Sequence, residues 1–188
     1  EAAFGMLAVT AAGAPMLSHI PFLLSEDGDR AEFHLVRSNP IARALAKGPL
    51  PARIAVQGPH SYVSPDWYGV ADQVPTWNYV AVHLTGEAIL QPQAALPDLL
   101  DRQSALFEDR LAPKAPWTTA KITPDVLDKM MRQIVPCVMQ ITAIDSTWKL
   151  GQNKSEDARL SAADHIDGYG MGQEVRLLCA LMRGPVTE

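Results

Sequence analysis

The sequence predicts a mainly β protein with helices, built as a small antiparallel barrel with helices at its rim and C-terminal end. Two observations predict it. Short segments of alternating apolar residues, separated by glycine and proline turns, fill the first ninety positions, and helical periodicity dominates only later. With 188 residues, 47% of them apolar, the chain has enough material for one core. We expect one domain over residues 1–188, with residues 151–188 as a helical extension.

Three strands open the chain, from Gly5 to Thr10, Ala14 to Leu24 and Ala31 to Val36. The intervening stretches AAGA and EDGD contain glycine, which adopts the positive φ that short hairpin turns need. We therefore expect these strands to form an antiparallel meander.

A short helix should follow the third strand. Asn39 is a good N-cap residue, Pro40 suits the first helical position, and Gly48 with Pro49 ends the helix.

Three more strands are predicted before residue 91. Ala52 to Gln57 and His60 to Ser64 are two short ones, and Asn78 to Leu90 is a longer one in which Gly86 marks a bulge or bend. The barrel then has six strands before the helical region begins.

Helical spacing covers Leu96 to Leu111 and the segment TPDVLDKMMRQI, where Thr123 is the expected cap. A further strand, VPCVMQITAIDSTWKL, follows them. Residues of one parity should share a face of this strand, namely Cys137, Met139, Ile141 and Ala143. The C-terminal region predicts two helices separated by Gly168, Gly170 and Gly172, the last helix being amphipathic.

Composition narrows the functional classes. The formal net charge is −5, whereas surfaces that bind nucleic acid through phosphates cluster Lys and Arg. No apolar run reaches the length of a membrane span. Cys137 and Cys179 lie in apolar surroundings, as expected for reduced thiols in a cytoplasmic protein. The start, EAAFGMLAV, has no cleavage pattern, so we expect the natural N-terminus to lie upstream.

Two candidate sites lie in the first forty residues. In LVRSNPIAR, Arg37, Ser38 and Asn39 stand between a strand and a helix N-terminus, an arrangement that holds phosphates; the alternative is a solvated turn with an ordinary Asn cap. In MLSHIPFLL, Ser18 and His19 interrupt an apolar strand and point either to a ligand or to a structural histidine. The histidines show no metal-binding spacing, so we predict no metal.

Two further candidates lie later in the chain. PTWNY presents an indole, an amide and a phenol that suit stacking on a planar heterocycle, or a dimer interface. In WKLGQNKSEDAR, polar residues crowd ahead of a helix, where Asn153 or Ser155 is also a simple cap candidate. No serine elbow, Walker loop or dinucleotide-binding glycine motif appears in the sequence.

Several blocks, taken in order, resemble one family. GPHSYVSPDWYG, VPTWNYVAVHLTG and KLGQNKS are similar to signature blocks of the PaiB-type FMN-binding negative transcriptional regulators of bacteria. GAPMLSHIPFLL and HLVRSNPIAR resemble the same family's first strands and strand-to-helix turn. The likeness covers most of the chain from Phe4 to about Arg159.

The resemblance implies an FMN-binding split β-barrel, similar to pyridoxamine phosphate oxidase and flavin reductases, that works as a homodimer with FMN at the subunit interface. It assigns Arg37, Ser38 and Asn39 to the phosphate and Ser18 and His19 to the ring or ribityl chain. The residues expected to close the site are Trp77, Asn78, Lys149, Gln152 and Asn153.

The function implied is that of a negative transcriptional regulator, with no catalytic residue predicted. Direct DNA binding has weak support, since the chain is acidic and shows no helix-turn-helix. Two alternatives stay open: an FMN-dependent oxidoreductase or flavin reductase that uses NAD(P)H, and a dimeric barrel without cofactor that serves as an interaction module.

Overall fold

A computed structural model describes residues 3–11 and 13–184. Seven β-strands and five α-helices lie in these ranges. The strands are β1 (Phe4–Val9), β2 (Met16–Leu24), β3 (Arg30–Val36), β4 (Leu50–Val63), β5 (Thr76–Leu90), β6 (Ile134–Lys149) and β7 (Gly172–Gln173). The helices are α1 (Pro40–Leu45), α2 (Leu96–Glu108), α3 (Pro124–Met131), α4 (Glu156–Tyr169) and α5 (Val175–Arg183).

The strands form one closed sheet, which confirms the predicted barrel. Their hydrogen-bonded order is β1-β2-β3-β6-β5-β4-β7, and β1 also pairs with β4. In the antiparallel β1–β2 pair Met6 lies opposite His19, and in the β3–β6 pair Phe33 lies opposite Cys137. The β1–β4 pairing removes the open edges that a six-stranded sheet would otherwise present.

The two short strands predicted around Gly58 and Pro59 are in fact one strand, so that prediction was wrong. β4 runs without a break from Leu50 to Val63. Its pairing with β1 ends at Ala55, and its pairing with β7 starts at His60. Pro59 lies between the part of β4 that pairs with β1 and the part that pairs with β7. Because neither pairing includes Pro59, its missing N–H leaves both of them intact.

Gly86 lies inside β5, which continues on both sides of it, and the reason for glycine is close approach to β6. A Cβ at this position would lie 1.8 Å from the carbonyl oxygen of Gln140. Real Cβ atoms do not approach backbone so closely. Only a residue without a side chain therefore fits here.

The chain divides into two compact units. The first comprises residues 1–55 and 83–144, and the second residues 56–82 and 145–188. The core of the first unit has fully buried side chains from its strands and from α1 and α2, including Leu7, Ile20, Phe33, Ile41, Ile54, Leu96 and Met139. Burial raises the pKa of the Cys137 thiol to about 12, so this thiol is protonated and inert.

The second unit has its own core, in which α4 packs against α5 and against the 3₁₀ turn Pro65–Tyr68. Small residues of α4, Ala158, Ala162 and Ala163, allow the close approach. The amphipathic C-terminal helix is confirmed, since Leu178 and Met182 of α5 are fully buried. Residues from 151 onward thus belong to the same compact unit as residues 56–82.

The remaining sequence predictions differ in detail from the structure. α2 ends at Glu108 and continues as a 3₁₀ turn over Asp109–Leu111. Thr123 occupies the N-cap position of α3, but its side chain makes no capping bond. On β6, Cys137 and Met139 are buried whereas Ala143 is exposed, so the predicted common face is buried only at its N-terminal end.

The hairpin turn predicted at AAGA includes Ala12, which lies outside the described residues. Within residues 3–11 and 13–184, none of the helices has the length and apolar character that a membrane crossing requires.

Candidate functional site

In the first unit, the turn ahead of α1 contacts β2. The Asn39 side chain is the N-cap of α1, since its Oδ1 accepts a hydrogen bond of 2.8 Å from the Ile41 N–H. Its Nδ2 donates to Ser18 Oγ at 3.1 Å. The capping role considered as an alternative is therefore present, and the same side chain brings two of the predicted site residues together.

Arg37 is exposed, but its guanidinium is held against the segment that leads into β6. Nε donates to the Arg132 carbonyl at 2.9 Å and Nη2 donates to Gln93 Oε1 at 2.9 Å. Nη1 has no hydrogen-bond partner among the described residues, and Ser38 beside it is exposed. The phosphate role of Arg37 and Ser38 stays a prediction.

His19 is exposed on β2 and stacks on Phe4 of β1, with ring centroids 6.2 Å apart and planes 18° apart. Ser18, next to it on the strand, is half-buried and faces the opposite side. The hydroxyl and the imidazole therefore lie on different faces of β2.

The second unit contains a cavity of about 270 Å³. It is formed by the loop after the 3₁₀ turn Pro65–Tyr68, by the start of β5 and by the segment after β6. Four of the predicted residues line it, namely Asn78, Lys149, Gln152 and Asn153. Trp77 is not among the lining residues; it is 47% exposed and points to the other face of β5.

The cavity carries two lysines with neutral partners. Lys149 Nζ donates to Thr76 Oγ1 at 2.6 Å, and Lys154 Nζ donates to Gln73 Oε1 at 2.6 Å. Lys154 Nζ also lies 5.3 Å from the centroid of the Tyr68 ring, a cation–π contact. Burial raises the pKa of Tyr68, which keeps this ring neutral.

Asn78 is the most buried polar group of the cavity, with 1% of its surface exposed. Its Nδ2 donates to Met182 Sδ at 3.5 Å, and a thioether is a weak acceptor. Gly151 lies beside it with φ of 80°, a conformation in which any other residue would be strained.

Gln152 closes the turn after β6. Its Oε1 accepts from the Leu150 N–H at 2.8 Å, and its Nε2 donates to the Trp148 carbonyl. Its contact with FMN stays a prediction. The Asn153 side chain makes no hydrogen bond to another described residue, and Ser155 rather than Asn153 caps α4.

Aromatic rings form a continuous series on the second unit. Trp77 lies 5.9 Å from His60 and 6.2 Å from Tyr62, measured between ring centroids. Tyr62 contacts Trp67 edge-on at 6.3 Å, and Trp67 stacks on His165 at 6.1 Å. The Trp77 indole noted in the sequence thus belongs to a larger set of rings, and it is 47% exposed.

Two lining residues that bind the lysines, Gln73 and Thr76, were not assigned to a site from the sequence. Lys154 is one of the polar residues noted in WKLGQNKSEDAR, but it was given no flavin contact. Lys154 stands in the KLGQNKS block, so its neighbours were a usable signal. Thr76 is the first residue of β5 and stands in the PTWNY segment, so its neighbours were also a signal, whereas Gln73 lies in an irregular segment ahead of that strand.

Comparison with known proteins then decides the family. The model of the family described as "Putative FMN-binding domain" matches residues 1–143. The chain belongs to this family. The resemblance noted in the sequence is therefore confirmed, and FMN is the cofactor that the family assigns.

One relative and two solved structures are similar to this FMN-binding family member. The protein is 28% identical over 168 residues to Protease synthase and sporulation protein PAI 2 of Bacillus subtilis, covering 88% of this chain and 79% of the relative. Two solved structures share the fold, which confirms the predicted split barrel.

The first of these structures is the FAD and heme binding protein from Mycobacterium smegmatis, with a TM-score of 0.57, 19% identity and coverage of 90% of this chain and 74% of that one. The second is the flavocytochrome Anf3 from Azotobacter vinelandii, with a TM-score of 0.50 and 16% identity. The match covers 82% of this chain and 66% of that one.

The side chains described above have the donors and apolar faces that binding of FMN requires. A guanidinium and hydroxyls in the first unit are donors for phosphate and for ribityl oxygens. Lysines, amides and aromatic rings in the second unit offer hydrogen bonds and flat apolar faces.

Proposed function

We propose that the protein is a negative transcriptional regulator of the PaiB type that binds FMN as a homodimer, with the cofactor at the subunit interface. The observation that carries the proposal is the family match over residues 1–143. The similarity to PAI 2 over 88% of the chain supports the regulatory role. Bound FMN supplies a redox-active ring, and the protein's part is to bind and orient it.

Arg37 and Ser38 hold the phosphate in this proposal. The guanidinium is already fixed by the carbonyl of Arg132 and the side chain of Gln93, at 2.9 Å each. Such fixing lowers the entropy lost when Nη1 binds an anion. Asn39 and Ser18 support the same turn, and the exposed His19 faces the ring or the ribityl chain.

The exposed rings support a dimer. Trp77 is 47% exposed and Trp148 is 48% exposed, and both belong to the second unit. Large aromatic residues are enriched at interface cores. A partner subunit together with an isoalloxazine ring would bury them, with Trp77, Asn78, Lys149, Gln152 and Asn153 closing the site.

Flavin binding is tested by titrating the full chain with FMN and with riboflavin. Arg37→Ala should lower the affinity for FMN about tenfold to a hundredfold, because a charge-assisted contact with the phosphate contributes about 1.5–3 kcal/mol. The affinity for riboflavin, which has no phosphate, should stay nearly unchanged. Arg43→Ala is the matched control, since Arg43 is exposed on α1. Equal losses for both flavins would remove Arg37 from the phosphate, and a monomer that binds no FMN would overturn the proposal.

The regulatory role is tested by gel shift with promoter fragments from the source genome at physiological salt. Direct regulation predicts a shift whose strength falls with salt, because contacts with phosphates release counterions. If FMN binds and no fragment shifts, direct regulation of these promoters is wrong and the regulatory effect must be indirect.

An FMN-dependent oxidoreductase is the second candidate. The fold is shared with a flavocytochrome and with a protein described as binding FAD and heme, which favours redox chemistry on this scaffold. Oxidation of NADH or NADPH by the FMN-loaded protein, measured at 340 nm with an added electron acceptor, tests it. Absence of turnover across a panel of acceptors would count against it.

A further inference from the structure

The cavity of the second unit holds more positive charge than its own carboxylates neutralise. Lys149 and Lys154 both line it, and Asp72 is the single acidic residue among the lining residues. Neither lysine lies within 4.0 Å of a carboxylate oxygen in the described parts of the chain. In a protein with a net charge of −5, two such cations in one cavity call for an explanation.

The partners of the two lysines orient them without cancelling their charge. Thr76 Oγ1 accepts from Lys149 and Gln73 Oε1 accepts from Lys154, both at 2.6 Å. Each ammonium has three donors, so each retains N–H groups for another acceptor.

The start of α4 adds to the positive potential. The residues from Gly151 to Lys154 lead directly into this helix of 14 residues, whose N-cap is Ser155. A helix N-terminus carries a partial positive charge. Glu156 and Asp157 in its first turn partly offset that charge, but both are exposed and neither lines the cavity.

Asn78 is an independent sign of a ligand. It lines the cavity with 1% of its surface exposed. The thioether of Met182, at 3.5 Å, is the one hydrogen-bond partner of its side chain among the described residues. A buried amide with so weak an acceptor gains free energy when an oxygen atom replaces it.

The size of the cavity limits the ligand. At about 270 Å³ it is smaller than the pockets of about 300–1,000 Å³ that hold drug-sized molecules. It therefore suits a small anion or the charged end of a larger molecule.

We propose that this cavity binds an oxyanion, a phosphoryl or carboxylate group, between Lys149 and Lys154 with Asn78 as a further donor. The proposal rests on the proposed function and deepens it. The anion is either the phosphate of FMN, in which case this cavity replaces Arg37 and Ser38 as the phosphate site, or a separate small molecule that acts beside the flavin. In the second case Arg37 keeps the FMN phosphate and this cavity recognises the effector or substrate.

Inorganic phosphate is the probe, titrated by calorimetry into the full chain without added flavin and at constant ionic strength. Lys149→Met and Lys154→Met should each weaken phosphate binding by about tenfold or more, because charge-assisted hydrogen bonds are lost. Lys129→Met removes the same charge from the exposed face of α3 and should leave binding unchanged. Lys149 is exposed, so its substitution tests the site even if Lys154→Met impairs folding.

The same variants titrated with FMN and riboflavin distinguish the two sources. Loss of FMN affinity with riboflavin unchanged identifies the flavin phosphate as the anion. Loss of phosphate binding with the affinities for both flavins unchanged identifies a separate anionic ligand and removes Lys149 from the residues that close the flavin site. The proposal is overturned if phosphate does not bind the wild type, or binds Lys149→Met equally well. Failure of FMN to bind the wild type overturns the proposed function instead.

Discussion

Asn39 donates a hydrogen bond from Nδ2 to Ser18 Oγ at 3.1 Å while its Oδ1 caps α1 through the Ile41 N–H at 2.8 Å. One side chain thereby fixes both the start of the helix and its position beside β2. The two residues are 21 positions apart in the chain, and both were candidate flavin contacts in the sequence.

Substitutions at this pair should have unequal effects. Asn39→Ala loses the cap and the bond to Ser18, and we expect a loss of about 1–2 kcal/mol in the free energy of unfolding. Ser18→Ala loses only the bond, for about 0.5–1.5 kcal/mol. Urea unfolding of both single variants and the double variant measures the coupling; strictly additive losses would contradict a direct interaction.

Two glycines should respond to alanine in opposite directions. Gly86→Ala places a Cβ 1.8 Å from the Gln140 carbonyl oxygen, so β5 or β6 must shift, and overpacking of this kind costs about 1–3 kcal/mol. Gly168 lies in α4 with nothing within 4 Å of its Cβ position. Gly168→Ala should therefore stabilise the protein by about 0.4–1 kcal/mol.

Thermal and urea unfolding of these two variants compare them directly. A Gly86→Ala variant as stable as the wild type would show that the two strands separate at no cost, contrary to the close approach described above.

Arg159 of α4 stabilises the end of α5. Its guanidinium is buried, with 6% of the residue exposed, and Nη1 donates to the carbonyls of Met182 and Gly184. Arg159→Met keeps the length of the side chain but leaves the Met182 carbonyl without this donor. We expect a loss of about 1–3 kcal/mol in stability.

Faster amide exchange in α5 should accompany that loss, measured by hydrogen–deuterium exchange with mass spectrometry. Arg176→Met on the exposed face of α5 is the control and should change stability by no more than about 0.5 kcal/mol. Equal effects of the two substitutions would exclude a specific role for Arg159.

His34 should make stability depend on pH. Burial lowers its pKa, and its Nδ1 has no hydrogen-bond partner among the described residues. The unfolded chain therefore binds a proton more readily than the folded one. Stability attributable to this residue is complete above about pH 6.5, the ordinary value for histidine, and is lost as the pH falls through the lowered folded pKa.

Urea unfolding at pH 8 and at pH 5 should show a larger loss for the wild type than for His34→Leu, which has no titrating group at this position. The same loss in both proteins would mean that His34 has an ordinary pKa in the folded state.

Much of the barrel was predictable because its signals are local. Alternating apolar residues and glycine turns marked β1, β2 and β3, and the cap and proline ahead of α1 marked that helix. The division of β4 into two strands was wrong because Gly58 and Pro59 usually break strands. In this protein the partner of β4 changes from β1 to β7 at that point while β4 itself continues. A local sequence pattern cannot show which strand pairs with which.

The sequence by itself determined the fold class, the family and four of the polar residues that line the cavity, since these follow from periodicity and from short blocks. Only the tertiary structure decided that Lys149 meets Thr76 and Lys154 meets Gln73, pairs separated by 73 and 81 positions. The physical reason is that such contacts depend on how strands and loops return to one another across the chain, whereas propensity acts over a few neighbouring residues.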